Sequence, residues 1–200
     1  MFFLVSFSSL IAQEKQDSLK VKENPIIFGN ISLSYADGYI RGGTASFSIN
    51  YQKKKTLFTF QFLQNYKVEE TKAGFIFRIP VQTRTFNEYS LLIGKRYIKN
   101  DFSFHFSGGI SYNNTLRKNS ETETTTLSNY IGFPLRIGYN FFHSKKERYR
   151  TFFDLIPLGK PTSFGKSFGL NLYANIAKKS YIGVGFTLGL GWHKIYKNEK

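Results

Sequence analysis

The chain has 200 residues, of which 28 are basic and 13 acidic, so its formal net charge at pH 7 is +15. It contains 22 Phe and 13 Tyr, yet its mean hydropathy is only −0.30 and its apolar residues are dispersed. This composition excludes a polytopic helical membrane protein, which needs long apolar segments. The absence of cysteine excludes a disulfide framework or a cysteine-based zinc site within this sequence.

The first residues form an apolar run, residues 1–12, and polar and charged residues follow at once. This order is typical of the apolar core of a secretory signal, with Ala12 or Gln13 just before the cleavage point. We therefore predict a signal peptide over residues 1–12, a periplasmic lead segment over 13–25 and a barrel domain over 26–196. A short buried strand or helix is the alternative interpretation of the first segment.

Apolar and small polar residues then alternate along segments of about ten residues, the length of a strand tilted across a bilayer. Phe102 and Phe104 fall on one parity, for example, and Ser103 and His105 fall on the other. Successive side chains of a β-strand point to opposite faces, so each segment predicts a strand with one apolar and one polar face. Eight segments have this pattern: residues 27–35, 44–51, 57–63, 88–97, 101–113, 130–141, 167–176 and 181–192.

The connections between these segments differ in length. Residues 53–55, 99–100 and 178–180 are short and basic, whereas residues 66–86 and 114–128 are long and polar. In outer-membrane barrels the short turns face the periplasm and the long loops face outside. We therefore expect the first three to be periplasmic turns and the last two to be external loops.

One connection is long where strict alternation of ends requires a short turn. Residues 143–166 contain a plausible extra strand, residues 150–156. A ninth strand would place the chain termini at opposite ends, so we predict eight strands with an insertion. The alternative is ten strands, with a further strand within residues 74–84. Pro134, which cannot donate to a β-ladder, indicates an end or a bulge within residues 130–141.

The residue types on the polar parity indicate which face is wet. A soluble barrel would carry frequent Lys and Glu there, but this chain has mostly Ser, Thr, Asn and Gly, which suit the crowded lumen of a narrow barrel. We predict an all-β, antiparallel up-and-down transmembrane barrel; a soluble β-barrel or sandwich is the alternative. An aromatic girdle at the headgroups is predicted from residues near the segment ends, namely Tyr35, Tyr51, Tyr66, Tyr97, Tyr112, Tyr139 and Trp192.

The alternating hairpins, the signal-like start and the ending FGLNLYANIAKKSYIGVGFTLGLGW resemble the small outer-membrane β-barrel proteins of Gram-negative bacteria. The resemblance implies location in the cell outer membrane, contact with lipid and lipopolysaccharide, and insertion by the outer-membrane assembly machinery. It implies no single activity, because that group contains adhesins, lipid enzymes and minor channels. We expect a structural or surface-interaction role, performed by a monomer, with a narrow channel as an alternative.

The positive charge predicts an anionic partner. The basic residues lie in turns and loops around the predicted strands and no nucleic-acid motif accompanies them, so we expect no nucleic-acid partner. Phosphorylated sugars of lipopolysaccharide are the favoured partner if the long loops are external. The basic residues expected to face them are Lys67, Lys72, Arg78, Arg84, Arg117 and Lys118.

One strand carries a possible catalytic element. His105 and Ser107 share the polar parity, which places a base beside a nucleophile, and Glu121 or Glu123 could orient the base from the following loop. The pair is similar to the His-x-Ser element of outer-membrane lipid A deacylases, although Gly108 stands where those enzymes usually carry Asn. This similarity implies a lipid A-acting esterase as the alternative function; a lumen histidine bonded to polar neighbours is the simpler interpretation.

Further charges are predicted inside the barrel. Arg96 and Arg136 fall on the lumen parity, and buried charges need partners. Glu88 is the acid on this parity within the strand cores, so we expect it to pair with Arg96. No metal-ligand spacing and no cofactor fingerprint occurs, and we predict neither.

Overall fold

The computed structural model describes residues 24–73, 78–143, 145–151 and 155–195. The predicted signal peptide and most of the lead segment lie outside these residues. No helix among them is both long and apolar enough to cross a membrane. The strands are β1 (Ile26–Gly38), β2 (Gly42–Lys53), β3 (Thr56–Ala73), β4 (Arg78–Lys99), β5 (Phe102–Asn119), β6 (Thr124–Phe142), β7 (Glu147–Thr151), β8 (Ile156–Thr162), β9 (Gly165–Ala177) and β10 (Tyr181–Gly191).

Eight of these strands form a closed antiparallel barrel in the order β1-β10-β9-β6-β5-β4-β3-β2. The barrel closes between its first and last strands, in a register that runs from Phe28 opposite Gly191 to Gly38 opposite Tyr181. The prediction of an eight-stranded, up-and-down all-β barrel is therefore confirmed. Each of the eight alternating segments lies on a different barrel strand.

The barrel has two distinct ends. At the loop end lie the connections 39–41, 120–123 and 178–180, together with the end of β3 and the start of β4. At the terminus end lie the start of β1, the end of β10 and the turns 54–55 and 100–101. Residues 178–180 are thus at the loop end, and the prediction that they form a turn on the same side as residues 53–55 is wrong. The assumption that every short turn lies at the terminus end fails here, because β9 and β10 are joined by a short turn at the loop end.

The two long polar segments are mostly strand and not loop. The β3–β4 ladder continues from Lys67 opposite Arg84 to Ala73 opposite Arg78, and the β5–β6 ladder reaches Asn119 opposite Thr124. On one side, the barrel wall therefore extends beyond the apolar zone. The extension consists of residues 66–73, 78–86, 114–119 and 124–128. Backbone pairing persists there without an apolar face, which is why the alternation did not indicate it.

The long connection at the terminus end forms a separate hairpin. β7 and β8 pair with each other in a two-stranded sheet outside the barrel. The predicted strand at 150–156 is wrong in its bounds, because residue 151 ends β7 and residue 156 begins β8. The ten-strand alternative is also wrong, since the described part of residues 74–84 belongs to β4.

Pro134 lies within β6 and not at its end. On one side it pairs with Asn175 of β9 in an unbroken register. On the other side the β5–β6 pairing stops after Gly108 opposite Leu135 and resumes, in the same register, at Ser111 opposite Gly132. The expected end or bulge is therefore replaced by a local interruption of the ladder, at the position where proline lacks the amide donor.

Side-chain burial confirms the assignment of the two faces. Ser103, His105 and Ser107 are buried in the lumen, whereas Phe104 and Phe106 are exposed on the outer wall. On β10 the outward residues from 182 to 190 are all apolar, and nine residues is the length that a tilted strand needs to cross the hydrocarbon. The outer wall therefore presents a continuous apolar belt.

We expect Phe186→Arg to lower the free energy of unfolding by about 2–4 kcal/mol, the cost of a charge near the middle of a lipid-facing belt. Phe186 lies at the centre of the β10 belt and is 60% exposed. Leu155→Arg is the matched control, because Leu155 is 73% exposed on the hairpin outside the barrel and should tolerate the charge. Urea titration in lipid vesicles measures both; equal penalties would contradict the assignment of the outer face.

Candidate functional site

The lumen is filled by polar side chains that connect opposite walls. Glu88 of β4 accepts hydrogen bonds from Tyr181 Oη at 2.5 Å and from Asn175 Nδ2 at 2.6 Å, and also from Ser90 Oγ at 2.6 Å. Since β4 and β10 are four positions apart in a ring of eight, the bond to Tyr181 spans the lumen. Glu88 is 1% exposed, so these donors replace the water that a carboxylate otherwise needs.

Arg96 lies nearer the terminus end and has different partners from those predicted. Its Nη1 donates to Gln52 Oε1 at 2.9 Å and to the His193 carbonyl at 2.8 Å, and its Nε donates to Ser103 Oγ at 3.0 Å. The guanidinium also lies over the Phe28 ring, 4.7 Å from its centroid. Glu88 instead accepts hydrogen bonds from Ser90, Asn175 and Tyr181. The predicted pairing of Glu88 with Arg96 is not among the contacts of the described residues.

Arg136 occupies the lumen between these two groups. Its Nη1 donates to Ser48 Oγ and Gln61 Oε1, both at 3.3 Å. β6 and β2 are also on opposite walls, so Arg136 provides a second bond across the lumen. Within the described part of the chain, neutral oxygens and not a carboxylate accept hydrogen bonds from this buried cation.

Apolar layers close the polar interior toward both ends. Toward the loop end, Leu63, Phe86, Tyr173 and Tyr181 form a buried cluster with Ala36 and Ile40. Toward the terminus end, Ile26, Phe28 and Leu57 form a second cluster. A filled and capped lumen argues against the narrow-channel alternative, which needs an open polar path.

His193 follows β10 and fills the terminus end of the lumen. Its Nε2 lies 3.2 Å from the Gly165 carbonyl, and its ring packs on Phe28 and Phe142. Burial, helped by the charge of Arg96, lowers the pKa of His193 to about 4, against a smaller rise from the bond to Gly165. The imidazole is therefore neutral at neutral pH, next to a permanent cation.

The structure separates the proposed catalytic residues. His105 and Ser107 face the lumen side by side, with His105 Nδ1 3.5 Å from Asn140 Nδ2. Glu121, however, lies in the turn at the loop end, where it pairs with Lys72. From His105 to Asn119 the strand rises about 45 Å, so Glu121 is not placed to orient the imidazole. Both His105 and Ser107 are buried inside the wall, away from lipid acyl chains.

The basic residues predicted for external loops lie on strands near the loop end, apart from Arg78, whose side chain is outside the described part of the structure. Arg84 is buried at the mouth of the lumen and pairs with Glu69 at 3.3 Å, and Arg117 approaches the same carboxylate at 3.7 Å. Basic residues also surround the terminus end: Lys53, Lys54, Lys55, Lys95, Lys99, Lys145, Lys146, Arg148, Lys166 and Lys194. The positive charge is thus placed at both ends of the apolar belt.

A pocket of about 160 Å³ opens at the loop end, above the apolar layer. The alternation did not predict this pocket, because its lining comes from four separate segments. The lining residues are Tyr39, Thr115, Arg117, Thr126, Ser128 and Lys179. Within the described ranges, no group of three or more His, Asp or Glu side chains is placed to hold a metal ion.

The fold is similar to solved outer-membrane barrels. The attachment invasion locus protein Ail of Yersinia pestis has a TM-score of 0.51 and 11% identity, over 86% of this chain and 99% of that one. The N-terminal β-barrel domain of OprF from Pseudomonas aeruginosa has a TM-score of 0.50 and 10% identity, over 84% and 98%. This is the architecture of the small eight-stranded outer-membrane barrels.

Sequence comparison adds nothing to this architectural match. No protein-family model matches the chain. No curated protein matches it either. The likeness to Ail and OprF is therefore one of fold, and the role of the chain has to be argued from its own surfaces.

We expect Glu88→Gln to lower the free energy of unfolding by about 1.5–3 kcal/mol, the usual contribution of hydrogen bonds to a charged group. The new amide turns a donor toward Tyr181 or Asn175, which are donors themselves. Glu70→Gln, on an exposed position of β3, is the control and should change stability by less than about 0.5 kcal/mol. Equal effects in urea titration would show that the Glu88 network does not stabilise the lumen.

We expect Ser107→Ala and His105→Gln to leave the acylation of lipid A unchanged. Ser107 Oγ is buried without a hydrogen-bond partner among the described residues, so its removal should cost no more than an ordinary hydrogen bond, about 0.5–1.5 kcal/mol. Mass spectrometry of lipid A from cells expressing each variant measures the acylation. A fatty acid lost only when both residues are present would instead support the esterase alternative.

Proposed function

We propose that this protein is an outer-membrane barrel of a Gram-negative bacterium with a structural or surface-interaction role, in contact with lipopolysaccharide. The observation that carries the proposal is the closed barrel with a continuous apolar outer belt. Every barrel strand is paired on both sides, which is what a β-structure surrounded by hydrocarbon requires. In water, a large apolar surface would be exposed to solvent, because residues such as Leu33, Ile131 and Leu188 are more than 60% accessible.

Aromatic side chains at the edges of the belt support the same placement. Toward the terminus end, Tyr51 and Tyr97 face outward, and toward the loop end Tyr35 and Tyr112 do so. Amphipathic rings of this kind are typical of the interface between hydrocarbon and headgroups. Two levels of outward tyrosines separated by apolar residues fit one membrane thickness.

The charges at both ends favour anionic headgroups as the surroundings. Cationic side chains lie beyond the belt at each end, where they would meet the phosphates of lipids. Ail, which has the same architecture, has been solved in complex with the heparin analogue sucrose octasulfate. A polyanionic sugar is therefore the class of surface ligand that we propose for the loop end.

The barrel also supports a monomeric form. Closure between β1 and β10 leaves no unpaired edge in the barrel wall, and an unpaired edge is the usual route to strand exchange between molecules. We propose that the outer-membrane assembly machinery inserts the chain as a monomer, with the terminus end in the periplasm and the loop end outside.

Cysteine labelling tests the orientation, because the chain contains no native cysteine. We expect Lys178→Cys, at the loop end, to react in intact cells with a maleimide attached to a large polymer. Lys55→Cys, in a turn at the terminus end, is the matched control and should react only after the outer membrane is opened. Labelling of Lys55→Cys alone in intact cells would invert the proposed topology.

Fractionation tests the location in the same cells. The protein should be recovered with outer membranes and, as a closed barrel, should migrate differently in a detergent gel before and after boiling. A soluble periplasmic pool without a heat-dependent shift would contradict the proposal.

A further inference from the structure

The pocket at the loop end contains a lysine whose position is fixed before any ligand arrives. Lys179 Nζ donates to Tyr39 Oη at 3.0 Å and to Ser128 Oγ at 3.2 Å. It also lies over the rings of Tyr39 and Tyr130, 4.7 Å and 5.5 Å from their centroids. An ammonium group has three donors, so one N–H remains beyond the two bonds recorded. A held cation binds an anion without paying the cost of ordering a flexible side chain.

Positive charge exceeds negative charge around this lysine. Arg84 and Arg117 approach one carboxylate, that of Glu69, at 3.3 Å and 3.7 Å. A single carboxylate neutralises one of the two guanidinium groups, and Lys179 adds a further cation to the same mouth. Arg117 lines the pocket and its side chain is 45% exposed, so its remaining N–H groups can reach a ligand.

A buried hydroxyl lies in the pocket. Thr115 is 2% exposed and lines the pocket, and its Oγ1 lies near the hydroxyls of Tyr39 and Tyr130. These contacts fall outside good hydrogen-bond geometry, so a ligand oxygen would offer the Thr115 hydroxyl a better acceptor. Thr126 and Ser128 add further hydroxyls to the lining. The pocket thus combines two cations with several hydroxyl donors.

We propose that this pocket binds one phosphate or sulfate group of an anionic sugar. Such a group offers several acceptor oxygens to the Lys179 ammonium, the Arg117 guanidinium and the Thr115 hydroxyl. The inference rests on the proposed function for its biological partner, because the loop end must face outside. Two sources share this chemistry: the phosphorylated sugars of lipopolysaccharide in the same membrane and a sulfated glycan outside the cell.

Two adjacent lysines provide the matched test. Lys179 lines the pocket, whereas Lys178 is the exposed residue before it in the same turn. Lys179→Gln and Lys178→Gln remove the same charge from the same end of the molecule. The full chain, folded in detergent micelles and checked by its heat-dependent gel shift, is titrated by calorimetry with glucose 1,6-bisphosphate, with sucrose octasulfate and with sucrose as the uncharged control.

We expect a charged sugar to bind and sucrose not to bind. Lys179→Gln should weaken binding by about tenfold or more, as expected for a charge-assisted hydrogen bond. Lys178→Gln should weaken it by less than about threefold, because salt screens an exposed charge. Preference for the bisphosphate identifies the phosphorylated source, and preference for the octasulfate identifies the sulfated one.

Thr115→Val provides a second variant that does not change charge. Removing this buried hydroxyl should change the Tm little, because its contacts with Tyr39 and Tyr130 are poor hydrogen bonds, while binding of the charged sugar becomes weaker. A role in packing alone would instead leave binding intact. This variant also keeps the proposal testable if Lys179→Gln fails to fold.

Two results would contradict the proposal that the pocket is a binding site. Equal losses from Lys178→Gln and Lys179→Gln would show attraction by the whole basic surface and no defined site. Binding of neither charged sugar would also reject the pocket. Both results leave the cysteine labelling and the fractionation untouched, so failure of the pocket is distinguishable from failure of the proposed function.

Discussion

The structure depends on the closure of the barrel between β1 and β10. In hydrocarbon an unpaired backbone amide or carbonyl costs several kcal/mol, so a chain of this composition is stable there only as a closed ring of strands. Closure with eight strands makes the lumen just wide enough for side chains to fill. The small polar residues of the inner face follow from that width.

Within this narrow lumen, buried charges are solvated mainly by amides, hydroxyls and carbonyls. Glu88, Arg136 and Arg96 follow one another from the loop end toward the terminus end, each with neutral partners from other strands. Bonds from β4 to β10 and from β6 to β2 tie walls that share no backbone pairing. The interior therefore stabilises the cross-section of the barrel, a role that the backbone ladders alone do not perform.

Alternation with a period of two predicted the eight strands and the facing of residues such as Phe104 and Ser103, because the outward positions of these segments are apolar and the inward ones are small and polar. The same signal ends where the strands extend beyond the apolar belt. Residues 66–73 and 78–86 still pair, but both of their faces meet water or the mouth, so no apolar periodicity marks them. Orientation of the turn at 178–180 likewise depends on counting strands and not on its length.

The contacts between lumen side chains could not be predicted from the sequence for a different reason. Which lumen residues meet depends on the stagger between strands that are far apart in sequence, and alternation does not encode stagger. Glu88 was therefore predicted to meet Arg96 on its own strand, whereas Tyr181 reaches it from the opposite wall. The pocket combines residues from the 39–41 turn, β5, β6 and the 178–180 turn, so only the folded barrel brings Lys179 to Thr115.

Several lumen glycines stand directly beneath a large side chain from another strand. A Cβ on Gly138 would meet His105 and Asn171, and one on Gly183 would meet the ring of Tyr173. Each glycine and the side chain over it thus form one unit of volume. We expect homologues to vary freely in which apolar residue occupies the outer belt. In the lumen, we expect a glycine replaced by a larger residue on one strand to be accompanied by a smaller residue in place of the large side chain on the other strand. Covariation between such pairs would then report the stagger of this barrel directly from aligned sequences.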